Sequence, residues 1–389
     1  MLSLRIAILN ITAGGLSGGY KKYLNRMLPR LVSHPLVESL LVAIPSTEQP
    51  DSIVVNTHLP SQQITWITYR PTLLGKVSTL KLNYEVARFN PAIIFVPTAR
   101  AVRVGNVITV TMIQNMEPLA YDGPNPFSER LVNLVRREEA KRAVRKADRV
   151  IAVSHYVKQY LIERWGLPGR KIGVVYHGND QVSEGDRPNS VPNKWSGRFL
   201  FTAGSIRPAR GIEDVLCAFA ALDAKDECAA LVIAGEATRT MNAYLRELKR
   251  MAVGLGIAEN VIWTGNLNER QMAWCYQNCS AFVMTSRVES FGQIALEAMA
   301  HGCLCISADN PCLPEIFADA AVYYPPKNAK ALCEVIRSLL TWNDEKRKEM
   351  SMAAKKRAEQ FSWDTCAEKT LEELKKAIGS SNERGGTEN

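Results

Sequence analysis

The chain has 389 residues, 46% of them hydrophobic and 22% charged, and carries a formal net charge of +9. That composition allows two domains with full cores and excludes a globally disordered chain. No apolar run reaches the roughly 18–20 residues of a membrane span, and Met1 leads directly into a strand pattern without a signal-peptide layout.

Residues 4–10 (LRIAILN) form a nearly continuous apolar run, the pattern of a strand covered on both faces of a parallel sheet. A glycine-rich turn with Gly14 and Gly15 follows, then a helical pattern through Tyr23, Leu24, Met27, Leu28 and Leu31. Strand, glycine-rich turn and helix make the first unit of a doubly wound fold. The turn is not G-x-G-x-x-G and no acidic residue follows at the right distance, so no nicotinamide cofactor is expected. Further strands are predicted at 39–44, 64–69, 92–96 and 107–113, with helical patterns between some of them. After the last comes the polar turn Gln114-Asn115-Met116-Glu117-Pro118, at the strand edge where ligands of open α/β sheets gather.

From Arg130 to Arg149 the chain reads as a basic helix. Such a helix fits nucleic acid, an anionic membrane surface or a solvated face. No aromatic residues are interleaved to stack bases, so nucleic acid is not expected. A strand at 149–153, a helix at 155–165 and a strand at 172–176 complete a first domain over residues 1–180. Residues 181–196 are rich in Pro, Ser, Asn and Gly and read as a linker.

The alternation then restarts over residues 197–360. A strand at 198–202 precedes a basic loop bounded by Gly204 and Gly211 that carries Arg207 and Arg210. A helix at 212–222, a strand at 231–234 and a strand at 261–264 follow, the last leading into Gly265 and Asn266. An apolar strand at 281–285 runs into the turn Glu289-Ser290-Phe291-Gly292. A helix opens near Gln293 and buries Ile294, Ala295, Ala298 and Met299, before another strand at 303–307. The helices at 344–360 and 363–378 have no strand between them, and residues 379–389 read as a flexible polar tail. The fold class expected is α/β: two facing doubly wound, Rossmann-like domains with a deep cleft between them.

Glu289 then stands on the loop leaving a strand, and Glu297 about one turn into the next helix. A carboxylate accepts hydrogen bonds from vicinal hydroxyls, so this spacing suits a ligand with a sugar at one end, a ribose at the other and phosphates between. The bland alternative is a turn cap and a surface ion pair. Gly292 allows close backbone approach, and the first N–H groups of the helix favour phosphate. All nine cysteines fall at or after Cys217 with no Cys-x-x-Cys pair. They read as buried free thiols of a reducing, cytoplasmic compartment. Cys275 and Cys279 share a helix face, but no further ligand is placed to complete a zinc site, so no metal is expected.

With these blocks in order, the chain resembles the family-4 retaining glycosyltransferases of GT-B fold. The resemblance covers most of the chain and is strongest over residues 199–325. It rests on residues 203–211 (AGSIRPARG), 231–235 (LVIAG), 261–265 (VIWTG) and the two glutamates eight positions apart, Glu289 and Glu297. Gly14-Gly15, residues 147–154 (ADRVIAVS) and the closing Phe361-Ser362-Trp363 agree with it; the last looks like a helix crossing back to the first domain. The resemblance implies transfer of a hexose from a nucleotide diphosphate sugar to a glycan or lipid-linked glycan acceptor, with retention and without cofactor or metal. Arg207 and Arg210 would clamp the diphosphate, with Gly204, Ser290, Phe291 and Gly292 beside it and Gly14 and Gly15 facing it. Glu289 would bind the donor sugar, Glu297 the ribose, and Gly265 and Asn266 would line the base pocket.

Two departures stand out. The family usually has lysine where Arg210 stands, and Arg keeps the charge while changing its geometry. Many relatives place a histidine in the turn after the fifth strand, where this chain has Gln114 and Asn115, neither of them a base at neutral pH. In a retaining front-face transfer the donor phosphate can take the acceptor proton instead. Two other readings stay open: a catalytically silent subunit that binds nucleotide sugar, and a nucleotide-sugar 2-epimerase. A lipid-linked acceptor would set the basic stretch against anionic headgroups, with peripheral contact at the inner face of the membrane.

Overall fold

A computed structural model describes residues 3–12, 18–53, 63–70, 79–180, 184–222 and 228–385. The chain divides into two units, one of Met1–Gln114, Val135–Gly178 and Ser362–Asn389, the other of Asn115–Leu134 and Asn179–Phe361.

The first unit holds seven strands: β1 (Leu4–Leu9), β2 (Val37–Pro45), β3 (Ile64–Tyr69), β4 (Ile93–Val96), β5 (Ile108–Ile113), β6 (Arg149–Ala152) and β7 (Ile172–Val174). They make one parallel sheet in the order β3-β2-β1-β4-β5-β6-β7. Strands such as β4 (IIFV) are buried at every position, which explains their unbroken apolar sequence. Helices α1 (Gly18–Val32), α2 (Pro50–Ile53) and α3 (Thr79–Phe89) connect the early strands. The short α4 (Glu117–Ala120) and the long α5 (Phe127–Lys146) follow β5, and α6 (His155–Trp165) lies between β6 and β7. Ser154 caps α6 by accepting from the Val157 N–H at 3.2 Å, and Gly166 closes it at φ 66°.

The second unit has a six-stranded parallel sheet. Its strands are β8 (Phe199–Ala203), β9 (Ala230–Ala234), β10 (Val261–Gly265), β11 (Ala281–Met284), β12 (Cys305–Ala308) and β13 (Ala321–Tyr324), in the order β10-β9-β8-β11-β12-β13. Helices α7 (Ile212–Ala220), α8 (Asn242–Gly254), α9 (Glu269–Asn278), α10 (Gln293–Ala300), α11 (Leu313–Phe317), α12 (Ala329–Leu340) and α13 (Asp344–Ala358) belong to it. Its core joins Val215, Leu216 and Phe219 of α7 to Leu231 and Ile233 of β9, Val283 of β11 and Leu332 and Ile336 of α12. The last helix, α14 (Trp363–Gly385), belongs to the first unit and packs on α1, β4, β5 and β6.

Several boundaries differ from the sequence expectation. Residues Asn115–Leu134 group with the second unit rather than with residues 1–180, and Glu117 pairs with Arg207 within it. Residues 184–196 are not a loose linker but lie packed on the second unit. Val191 is buried, the Asp186 carboxylate accepts from Arg270 at 2.6 and 2.9 Å, and Ser196 donates to Asn278 at 2.8 Å; 181–183 fall outside the described residues. The basic helix stops at Lys146. Asp148 accepts from the Thr109 N–H at 2.9 Å and ties the chain into the sheet, and Arg149 opens β6 with its guanidinium on Glu373. The expected tail at 379–389 is helical through Gly385.

Candidate active site

In both sheets the strand order reverses beside the first strand, between β1 and β4 and between β8 and β11. Ligands of doubly wound sheets bind at the carboxyl ends of the strands around such a switch point. In the second unit the loops leaving β8 and β11 carry Arg207, Arg210 and Glu289, so the topology brings the expected site residues to one edge. In the first unit the equivalent loop after β1 contains Gly14 and Gly15, which lie outside the described residues.

The loop after β8 is held at several points. The Gly204 N–H donates to Ala234 O at 2.9 Å and the Ile206 N–H to Glu236 O at 2.9 Å. The Thr285 hydroxyl donates to Arg210 O at 2.6 Å, and the Arg287 N–H to Ala209 O at 2.7 Å. Gly204 has φ 128°, and a Cβ there would sit 3.0 Å from Nε and 3.3 Å from Cζ of Arg210. Glycine lets the Arg210 side chain lie against the backbone. Arg287 braces the other side of the site with a two-pronged pair to Asp214, at 2.5 and 2.8 Å. These ties fix the backbone of the loop that carries the two arginines.

Each cation meets a carboxylate. Arg210 Nη1 pairs with Glu289 Oε1 and also donates to the Ser286 hydroxyl at 3.1 Å, and that hydroxyl donates to Glu289 at 3.0 Å. Arg207 Nη1 pairs with Oε2 of Glu117. Ser286 is held in turn, since Asn310 Nδ2 donates to its carbonyl at 2.6 Å. Sequence reading assigned no role to Glu117, Ser286 or Asn310, although Glu117 lies in the polar turn noted after the fifth strand. Ser286 sits three residues before Glu289 in a motif that could have yielded it, whereas Glu117 reaches Arg207 across 90 positions.

Gly292 takes φ 90° as the N-cap of α10, and its carbonyl accepts from the Ala295 and Leu296 N–H groups at 2.9 and 3.1 Å. A left-handed N-cap turns the loop sharply, so the first turn of α10 faces the edge that holds Glu289. Ser290 and Phe291 are buried, with the Phe291 ring edge-on to Phe361 at 5.8 Å. Both therefore shape the turn from inside. Glu297 lies one turn along α10 and is half-buried. The Tyr276 hydroxyl donates to its Oε2 at 3.3 Å, and burial pushes that hydroxyl's pKa well up, so it stays a donor. His301 stacks on the Tyr276 ring at 5.4 Å, with Nδ1 2.9 Å from Glu297 O, which fits a structural histidine.

Gly265 adopts φ 70° at the end of β10, its carbonyl accepting from the Gly235 N–H at 2.8 Å, and Asn266 is exposed beside it. Gln114 and Asn115 fall on either side of the division between units. Gln114 Nε2 donates to Pro97 O at 2.9 Å, and Asn115 Oδ1 accepts from the Glu117 N–H at 3.0 Å. Their side chains organise the turn. Among the described residues no three His, Cys, Asp or Glu side chains converge as metal ligands, and none of the nine cysteines is in a disulfide, six of them being buried.

Two doubly wound parallel units, the second with a basic loop and an acid-bearing turn at its switch point, define the GT-B class. The family model "Glycosyl transferases group 1" matches residues 187–357, and "Glycosyltransferase Family 4" matches residues 18–181. The chain belongs to the family-4 glycosyltransferases of GT-B fold. It is 24% identical over 292 residues to the serotype-specific mannosyltransferase WbdA of Escherichia coli, a match covering 71% of this chain and 34% of that protein. The chain thus spans about a third of the length of those mannosyltransferases. The fold is similar to that of Anabaena Alr3699/HepE solved with UDP-glucose, with a TM-score of 0.75, 18% identity, and 96% of this chain and 100% of that one covered. It is also similar to WaaG, a glycosyltransferase involved in lipopolysaccharide biosynthesis, with a TM-score of 0.68, 14% identity, and 95% and 99% coverage. Among the described residues no helix is long and apolar enough to cross a membrane.

Proposed function

We propose that this chain is a retaining glycosyltransferase that moves a hexose from a nucleotide diphosphate sugar to a hydroxyl of a glycan or lipid-linked glycan in polysaccharide biosynthesis. The observation that carries the reading is the convergence of Arg207, Arg210, Ser286 and Glu289 at the β8 and β11 ends, beside the left-handed turn at Gly292. The solved similar structure with UDP-glucose supports the donor class, and the mannosyltransferase relatives support a hexose.

In this mechanism Arg207 and Arg210 hold the diphosphate and stabilise the negative charge that grows on it as the glycosidic bond breaks. The N–H groups at the start of α10 add dipole stabilisation, so these groups supply what a cation supplies elsewhere. Glu289 orients the sugar hydroxyls, and Glu297, held by Tyr276, takes the ribose. Gly265 and Asn266 flank the base. With Gln114 and Asn115 in place of a histidine, the leaving phosphate receives the acceptor proton as the new bond forms on the same face. A peripheral membrane contact through α5 would bring a lipid-linked acceptor within reach.

The test is a donor screen on purified protein. UDP-, GDP-, ADP- and TDP-sugars are mixed with it, with and without chelator, and thermal shift and nucleotide release are followed. One donor is expected to stabilise the protein and be slowly hydrolysed, chelator or not, and Arg207→Ala and Glu297→Ala should lose both effects. Stabilisation without release, with every acceptor tried, would favour a silent binding subunit. No response to any nucleotide sugar would sink the reading.

A further inference from the structure

Arg207 has a carboxylate partner that donor binding does not require. Glu117 opens α4, its own N–H tied to Asn115 and its neighbours Met116 and Leu119 buried, so its carboxylate is delivered from a fixed turn. The two side chains are only 18% and 10% exposed. Their pairing is one-pronged. Arg207 Nε and Glu117 Oε1 are both buried without a hydrogen-bond partner, although a guanidinium–carboxylate fork would use them. A half-satisfied buried pair is costly to keep and open to exchange.

Arg210 is placed differently. Its carboxylate, Glu289, shares the Ser286 hydroxyl with it and has a use of its own once a sugar arrives. Glu117 has none. A phosphate oxygen arriving at Arg207 could take the unused Nε, and it would meet the Glu117 carboxylate as a like charge.

We propose that Glu117 is the internal counter-anion of Arg207: it holds the guanidinium in place while no donor is bound, and competes with the donor diphosphate for it. The inference rests on reading Arg207 as a diphosphate ligand. It makes α4 a donor-responsive element, released from Arg207 when the diphosphate binds. It also predicts an effect opposite in sign to the loss of an ordinary supporting contact. Removing the Glu117 charge should tighten nucleotide binding.

UDP and GDP serve as probes, titrated calorimetrically into wild type, Glu117→Gln, Arg207→Ala and the double variant. Glu117→Gln is expected to bind the preferred nucleotide roughly five- to tenfold tighter, and the gain should vanish on the Arg207→Ala background. Glu117→Ala, which leaves room for water, should show the same sign if the glutamine variant folds poorly. Unchanged or weaker binding by well-folded variants would overturn the proposal. A second readout is independent of nucleotide: phenylglyoxal labelling of Arg207, followed by peptide mass. Labelling should be faster in Glu117→Gln, and an unchanged rate overturns the pairing itself. Wild-type protein that binds neither probe overturns the donor reading and the competition with it. Faster labelling in that case still identifies Glu117 as the counter-anion.

Discussion

His177 follows β7 in the first unit and is 8% exposed. The Tyr23 ring of α1 stands edge-on at 5.3 Å and Trp363 of α14 lies at 5.7 Å. Burial lowers its pKa from 6.5 to about 4, so it is neutral in the folded chain at neutral pH. The unfolded chain binds a proton near its ordinary pKa, and the folded chain only near 4. Between those values the unfolded state holds more protons, so stability falls as pH drops through that window and is fully present above it. One such site contributes roughly 1.4 kcal/mol between about pH 7.5 and about pH 5.5. His177→Phe keeps a ring in the cluster and removes the titration. Urea unfolding of both proteins at the two pH values should show a smaller acid loss in the variant by about that amount; equal losses would mean the histidine is protonated in the fold. At this scale the sequence carried residue types and local spacing, enough to put Arg207, Arg210 and Glu289 on loops leaving β8 and β11 and Glu297 on α10. It did not carry the Glu117–Arg207 pairing, because nothing local marks two oppositely charged residues 90 positions apart as neighbours.

Helix α5 presents Phe127, Leu131, Leu134 and Val135 along one face, at 76%, 49%, 57% and 53% exposure. Positions i, i+4, i+7 and i+8 fall within one stripe of a helix. The same face continues through the exposed Glu138, which pairs with Lys141, to the exposed Arg142 and Arg145, and Arg130 flanks the stripe. Apolar residues followed by cations suit a helix lying at a membrane surface, each basic residue adding about 1 kcal/mol near anionic lipid. Co-sedimentation should therefore recover the protein with vesicles containing phosphatidylglycerol more than with phosphatidylcholine alone, and less as salt rises. Phe127→Ser with Leu134→Ser should lower recovery severalfold. Recovery indifferent to salt and lipid charge would remove the membrane role, and a concentration-dependent dimer lost in the variant would reassign the stripe to a second copy. Strands such as β4 and β8 were legible because strands buried on both faces must be apolar throughout. The apolar stripe of α5 was hidden inside a stretch read for its charge. The packing of residues 184–196 was also hidden, since a Pro- and Ser-rich composition reports conformational preference and not what the segment lies against.

The first unit is assembled from three stretches of chain, and the last of them is α14. Its buried apolar positions are Trp363, Cys366, Ala367, Leu371, Leu374 and Ala377, a helical stripe directed at α1, β4, β5 and β6. Glu373 on the same helix pairs with Arg149 of β6, and both side chains are largely buried. A Cβ at Gly178 would lie 2.1 Å from the Trp363 nitrogen, so the two chain segments are in backbone contact. Burying a tryptophan, two leucines and the smaller side chains contributes on the order of 8 kcal/mol. The entropy of ordering the helix offsets part of that, but its loss would also expose the apolar surface it covers on α1, β4, β5 and β6. Removing α14 also leaves Arg149 without its carboxylate, a further cost in a largely buried position. The second unit's core, by contrast, is drawn from residues 200 to 350. A chain ending at Phe361 should therefore lose its first unit selectively. Limited proteolysis read by mass spectrometry should show rapid cleavage within residues 18–114 and 135–178, the first unit's stretches, while a fragment beginning near residue 184 survives. Equal resistance of both halves would mean that the first sheet holds its fold without α14 and that the helix adds only marginally to it. Rapid loss of both would mean that the second unit depends on the first for stability.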